Sequence, residues 1–173
     1  MSAQEVRGAV HSSRTVPAAA SAAVLLPLTA GAVSGRLIGS AEHIGAAGRG
    51  AVSIWTHNAG LALATAVLGL LSLGALALLM AGVGWFVNGY ALGSYLSSGH
   101  SLPELLGHLP HLVPELAAFV LATAVGLSGA ARALASVRGR RLPPRRQWAR
   151  DCALRAGAAV LLLIPAAVLE AAT

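Results

Sequence analysis

Long apolar stretches separated by short polar breaks dominate the chain. The apolar stretches run from Val16 to Ile38, Ala59 to Leu96, His111 to Ala131 and Ala156 to Ala172. A helix needs about 20 apolar residues to cross a hydrocarbon core of about 30 Å, and it satisfies its own backbone there. Ala59–Leu96 is 38 residues long and holds no ionisable side chain except its tyrosines. As one helix it would measure about 57 Å at 1.5 Å per residue, so it is expected to break, at Gly82-Val83-Gly84. The expected segments are then about 16–38, 59–81, 85–97, 111–131 and 156–172. The fold class that follows is all-α, a polytopic transmembrane helical bundle of about five segments, or four without the break. The third segment is short, a thin span or a re-entrant piece. The last, about 17 residues with Pro165 inside it, lies at the lower limit for crossing.

The polar pieces fit between these spans. Residues 1–15 are expected to form a polar cytoplasmic tail, and 16–173 a single integral membrane domain. The first apolar stretch, with Arg7 and Arg14 before it and small residues near Gly31–Ser34, would by itself also suit a signal peptide. Its apolar run is long for that purpose, and the rest of the chain demands insertion in any case. The 39–58 connector carries Glu42, His43 and Arg49 and ends in Trp55-Thr56-His57-Asn58. A Trp at the head of an apolar run reads as an interfacial anchor. Residues 97–110 hold His100, Glu104 and His108 but no Arg.

Composition supports insertion. The chain of 173 residues is 56% hydrophobic and 10% charged, against about 25% charged in a soluble domain. All twelve basic residues are Arg, and eight of them lie between Arg132 and Arg155. Placed between two spans, that run is expected to be a cytoplasmic loop, 132–155, touching anionic lipid. Nothing in it points to nucleic acid: it carries no binding motif, and its single aromatic, Trp148, is not the repeated interleaving that a single-strand binder requires. The location expected is a bacterial inner (cytoplasmic) membrane, with the C-terminus outside. Five segments put the N-tail inside, and four swap the N-tail with the 39–58 connector. Either way ten Arg fall inside and two outside, so length decides, in favour of five. Cys152 is the one cysteine, which excludes an internal disulfide.

Four features carry candidate chemistry. His111 and Glu115, in Pro110-His111-Leu112-Val113-Pro114-Glu115, share a helix face at i, i+4. Glu115 lies about one turn inside the span, where an ionisable group is costly and needs a partner. The pair is a candidate acid/base couple or a polar lock between helices; the plainer reading is a carboxylate placed by the helix dipole. Asn88-Gly89-Tyr90-Ala91-Leu92-Gly93 holds a GxxxG, a close-approach face in lipid, with an amide that needs a hydrogen-bond partner. Gly69 lies outside such a motif and is expected to tolerate a bulky replacement better. His57 and Asn58 open the second span on the side expected to hold His111 and Glu115. Ala118, Ala122, Gly126 and Ala130 form a small-residue packing stripe. No compact ligand spacing such as HExxH is present, so neither a metal nor a cofactor is expected.

The order His57-Asn58, then Asn88-Gly89-x-x-Leu92-Gly93, then Pro110-His111-x-x-x-Glu115-Leu116 followed by Gly126-Leu127, resembles the stage II sporulation protein M family over roughly residues 54–130. Leu112 and Pro114 depart from the family pattern, which has Gly after the His and a small or apolar residue before the Glu. The resemblance implies a multi-pass membrane scaffold that holds partner enzymes at a membrane. Similar proteins also occur in gene clusters for ribosomally made peptides. The expected function is therefore a non-catalytic assembly subunit working with membrane-associated protein partners, with His57, Asn58, Asn88, Gly89 and Gly93 as structural or contact residues. The alternative is a membrane-embedded enzyme, or an enzymatic subunit, using His111 and Glu115 for elimination or epimerisation on a hydrophobic peptide substrate.

Overall fold

The computed structural model describes residues 3–39 and 50–172. The rest of the expected connector, with Glu42, His43 and Arg49, lies outside them, as do the side chains of residues 3–14 and of His108. The described chain forms α1 (Ala3–Ile38), α2 (Ala51–Leu71), α3 (Ala75–Ser97), α4 (Leu102–His108), α5 (Leu112–Val137) and α6 (Arg145–Ala171). All but α4 contain a segment long and apolar enough to cross a membrane. The fold is all-α, and no strand occurs among the described residues.

Three boundaries differ from the sequence expectation, each for a local reason. The break between the second and third spans falls at Ser72-Leu73-Gly74, not at Gly82–Gly84. Leu73 (φ 50°) and Gly74 (φ 92°) both adopt positive φ, and the Gly74 N–H donates to the Gly69 carbonyl at 2.6 Å, closing α2. The Ser72 hydroxyl then accepts from the Leu76 N–H at 2.9 Å and starts α3. Gly82 and Gly84 lie inside α3 facing open space; a glycine permits a break but does not cap one. Both products are full-length spans, of 21 and 23 residues. Next, the first helix starts at Ala3, so the expected tail is largely helical. Finally, only 138–144 of the arginine-rich segment is irregular. Arginine does not break a helix, whereas Gly139 (φ 62°) and Pro143-Pro144 do. The last helix is consequently 27 residues long, well above the minimum for crossing.

The helices run alternately up and down. One end of the bundle gathers the ends of α1, α3 and α6 with the starts of α2 and α5; the arginine cluster lies at the other. Helix α5 is central, packing on α2, α6 and α1. Its Ala118, Ala122 and Gly126 are buried as the stripe predicted, while Ala130 is partly exposed. The interior is made of small residues, among them Ala59, Ala62, Ala81, Ala118, Ala122 and Ala159, with Trp85 packed edge-on to Phe119 at 5.6 Å. Large residues such as Leu26, Leu61, Val87 and Leu161 point outward. That inversion suits a solvent of lipid tails, where close backbone approach replaces hydrophobic burial as the driving force.

The closest approach joins α1 and α3, which run parallel. A Cβ on Gly31 would strike the Phe86 carbonyl oxygen, one on Gly35 that of Tyr90, one on Gly89 that of Leu28 and one on Gly93 that of Ala32. The predicted GxxxG of α3 is thus interlocked with a second one, Gly31-x-x-x-Gly35, on α1. Gly69 is confined as well: its Cβ would lie 2.6 Å from Gly126 Cα and from Ala77 Cβ. Lying outside a GxxxG therefore does not leave Gly69 open to bulk, because α2, α3 and α5 meet there.

Candidate functional site

The site begins where α5 begins. Pro110, at the turn, and His111, the residue before the helix, lead into Leu112-Val113-Pro114, whose first-turn positions need no intrahelical donor. Pro114 therefore costs no hydrogen bond, and the departure from the family pattern leaves the local helix intact. The Glu115 N–H donates to the His111 carbonyl at 3.2 Å, so the two side chains leave the same face one turn apart.

From α2, the Asn58 amide reaches across and donates to Glu115 Oε1 at 3.3 Å. From α6, Glu170 in the last turn completes the group. The ligand-type atoms of His111, Glu115 and Glu170 all lie within 4.8 Å of one another, and all three residues are partly buried. Among the described residues His111 Nδ1 is buried without a hydrogen-bond partner. Burial lowers the His111 pKa, opposed by the Glu170 carboxylate, which raises it. One turn below Asn58 in the direction of the helix start, the Trp55 indole donates to the Val160 carbonyl of α6 at 3.2 Å. Trp55 is thus a bracket between helices as well as a residue at the head of a span. Asn58, Trp55, His111, Glu115 and Glu170 together tie α2, α5 and α6 at one end of the bundle.

The other sequence candidates lie elsewhere. His57 is exposed on α2 and is not among the cluster's residues. Asn88 is exposed and donates to the Gly84 carbonyl of its own helix at 3.0 Å, so its amide is satisfied without a neighbour. Gly89 and Gly93 are buried against α1 and serve packing. His100 stacks on Tyr95 at 3.9 Å and pairs with Glu104 at 3.8 Å, outside the cluster. Glu170 was missed by the sequence reading because it stands far along the chain from Glu115. The available signal was topological: an outward final span ends on the side where the fourth begins.

At the opposite end, Arg132 donates to the Pro143 carbonyl at 2.9 Å and lies over the Trp148 ring at 5.6 Å. The Trp148 indole donates to Ser128 at 3.3 Å, and Ser128 meets Cys152 at 3.4 Å. These contacts close the α5–α6 hairpin.

An all-helical bundle with five membrane-length helices, small-residue interfaces and a polar cluster at one end defines a polytopic membrane protein. The profile of the family described as stage II sporulation protein M matches residues 18–173, nearly the whole chain. The chain belongs to that family. No curated protein matches it, and no solved structure does.

Proposed function

We propose that the protein is a non-catalytic assembly subunit of a membrane complex, oriented with its arginine-rich end in the cytoplasm and its Asn58–His111–Glu115–Glu170 end outside a bacterial inner membrane. The observation that carries this reading is the cluster's composition from three helices, with Asn58 of α2 bonded to Glu115 of α5 beside Glu170 of α6. Such a cluster fixes the relative heights of the helix ends and so presents one defined surface to a partner. The pieces outside the spans support dependence on a partner: α4 has 7 residues, and the described link between α5 and α6 is 138–144. The arginines at the opposite end suit anionic lipid head groups.

The test is copurification from native membrane in mild detergent. Glu115→Ala is expected to weaken recovery of the partner, and Glu115→Gln to leave it nearly intact, since an amide still accepts from Asn58. Equal recovery from wild type and from the Glu115→Ala, His111→Ala double variant would overturn the assembly reading.

A second reading is favoured by one observation, the convergence of three titratable groups, one of them an imidazole whose buried nitrogen has no partner among the described residues. In that reading the cluster moves protons on a hydrophobic peptide, as in elimination or epimerisation. Glu115→Gln would then abolish turnover while the complex still assembles.

A further inference from the structure

We infer that His111, Glu115 and Glu170 form a binding site for one divalent transition-metal cation, with zinc the ion they suit best. The donors come from two helices running in opposite directions, and their ligand-type atoms already lie within 4.8 Å of one another. Zinc holds imidazole nitrogen and carboxylate oxygen at about 2.0–2.2 Å, so the three side chains draw inward on binding by small rotamer changes.

The chemistry favours this ion class. One imidazole with two carboxylates is a mixed nitrogen and oxygen set, whereas calcium and magnesium prefer oxygen alone. Three protein ligands leave a fourth position for water or for a partner's side chain. Two half-buried carboxylates brought together repel each other, and a dication neutralises both. His111 Nδ1 is buried with no hydrogen-bond partner among the described residues, a state that ligation of the ring relieves. Asn58, donating to Glu115 Oε1 at 3.3 Å, stands where an outer-shell group orients a metal-binding carboxylate. The missing HExxH-type spacing does not oppose the site, because its third donor arrives from the far end of the chain. The eight-arginine cluster, which would compete for the carboxylates, sits at the opposite end of the bundle.

The inference does not rest on the assembly reading. A bound cation would brace the helices of a scaffold or serve the alternative chemistry, and copurification answers a separate question.

The experiment uses the full chain, purified in detergent through a tag without histidine and stripped with a chelator. Cobalt(II) is the spectroscopic probe and zinc the competitor. One cobalt per chain is expected, with visible ligand-field absorption that zinc abolishes. Glu115→Gln and Glu170→Gln should each weaken binding by at least about 10-fold, and Asn58→Ala by about 10-fold, in line with outer-shell losses. The His100→Gln, Glu104→Gln double variant should bind as wild type does, since that pair lies outside the cluster. Should a variant fail to give a monodisperse preparation, the wild type alone decides: zinc must raise its thermal midpoint where magnesium does not, and the chelator must reverse the rise. Absence of a saturable cobalt signal in the wild type, or its full retention in the Glu115→Gln, Glu170→Gln double variant, overturns the site.

Discussion

Glu115 shows how one residue type can mean different things at different depths. One turn inside a span, a carboxylate is retained only with a partner, and it has Asn58 at 3.3 Å. Asn58→Ala removes the one interhelical hydrogen bond from α2 to this carboxylate. Hydrogen bonds of this kind between membrane helices average about 0.6 kcal/mol, so the loss should be modest, read as a lower unfolding midpoint in detergent at unchanged expression. Asn58→Asp should be worse, since it places a third carboxylate beside Glu115 and Glu170. An Asp variant as stable as the Ala variant would mean that the cluster is more open to water than its burial indicates. That His111 and Glu115 share a face was legible from spacing, because i, i+4 fixes it within one helix. Glu170 and the role of Asn58 were not, because contacts between helices depend on which spans are neighbours. Asn88 misled for a related reason: an amide in apolar surroundings needs an acceptor, and the carbonyl four residues back supplied one.

Among the helices, the strongest test concerns α1 and α3. Four glycines, Gly31, Gly35, Gly89 and Gly93, let the two backbones meet, and a side chain at any of them would strike a main-chain carbonyl oxygen on the facing helix. Backbone cannot rotate away as a flexible side chain can, so Gly89→Leu or Gly35→Leu should force the helices apart and abolish a monodisperse preparation. Gly82→Leu, whose Cβ would meet no described atom within 4 Å, should be tolerated. Gly69→Leu should also be damaging, because a Cβ there would lie 2.6 Å from Gly126 Cα and from Ala77 Cβ. Equal tolerance at Gly35, Gly89 and Gly82 would refute this packing. The GxxxG on α3 announced a close-approach face but not its partner; the motif records a surface, and topology selects what lies on it. The α2–α3 turn was hidden differently. Length required a break, yet its place was set by Leu73 and Gly74 adopting positive φ together with a capping Ser72, and the two glycines at 82 and 84 are a more visible but weaker signal. Gly74→Ala should accordingly cost about 1–2 kcal/mol for its left-handed backbone, measured as a fall in unfolding midpoint, whereas Gly84→Ala should leave it unchanged or slightly higher.

For the whole molecule the charge distribution predicts which side of the membrane the cluster faces. Five crossings put the 138–144 link and the α2–α3 turn on one side, with α4 and the cluster on the other. Eight arginines stand between Arg132 and Arg155, against none in residues 97–110, and the positive-inside bias places the first group in the cytoplasm. Cys152 is buried against Ser128, so Cys152→Ser provides a background for single-cysteine labelling. On that background, a membrane-impermeant maleimide should label Gly99→Cys in intact spheroplasts, and Gly139→Cys only after the membrane is opened. Both glycines have positive φ and open surroundings, so each variant carries a similar backbone cost and the comparison reports access. Labelling of both from the same side would refute an odd number of crossings between them. The reverse pattern would keep the fold but turn it over, placing His111, Glu115 and Glu170 in contact with the cytoplasm. Any partner, peptide or cation reaching the cluster would then have to come from inside the cell, and the external scaffold reading would fail on topology alone.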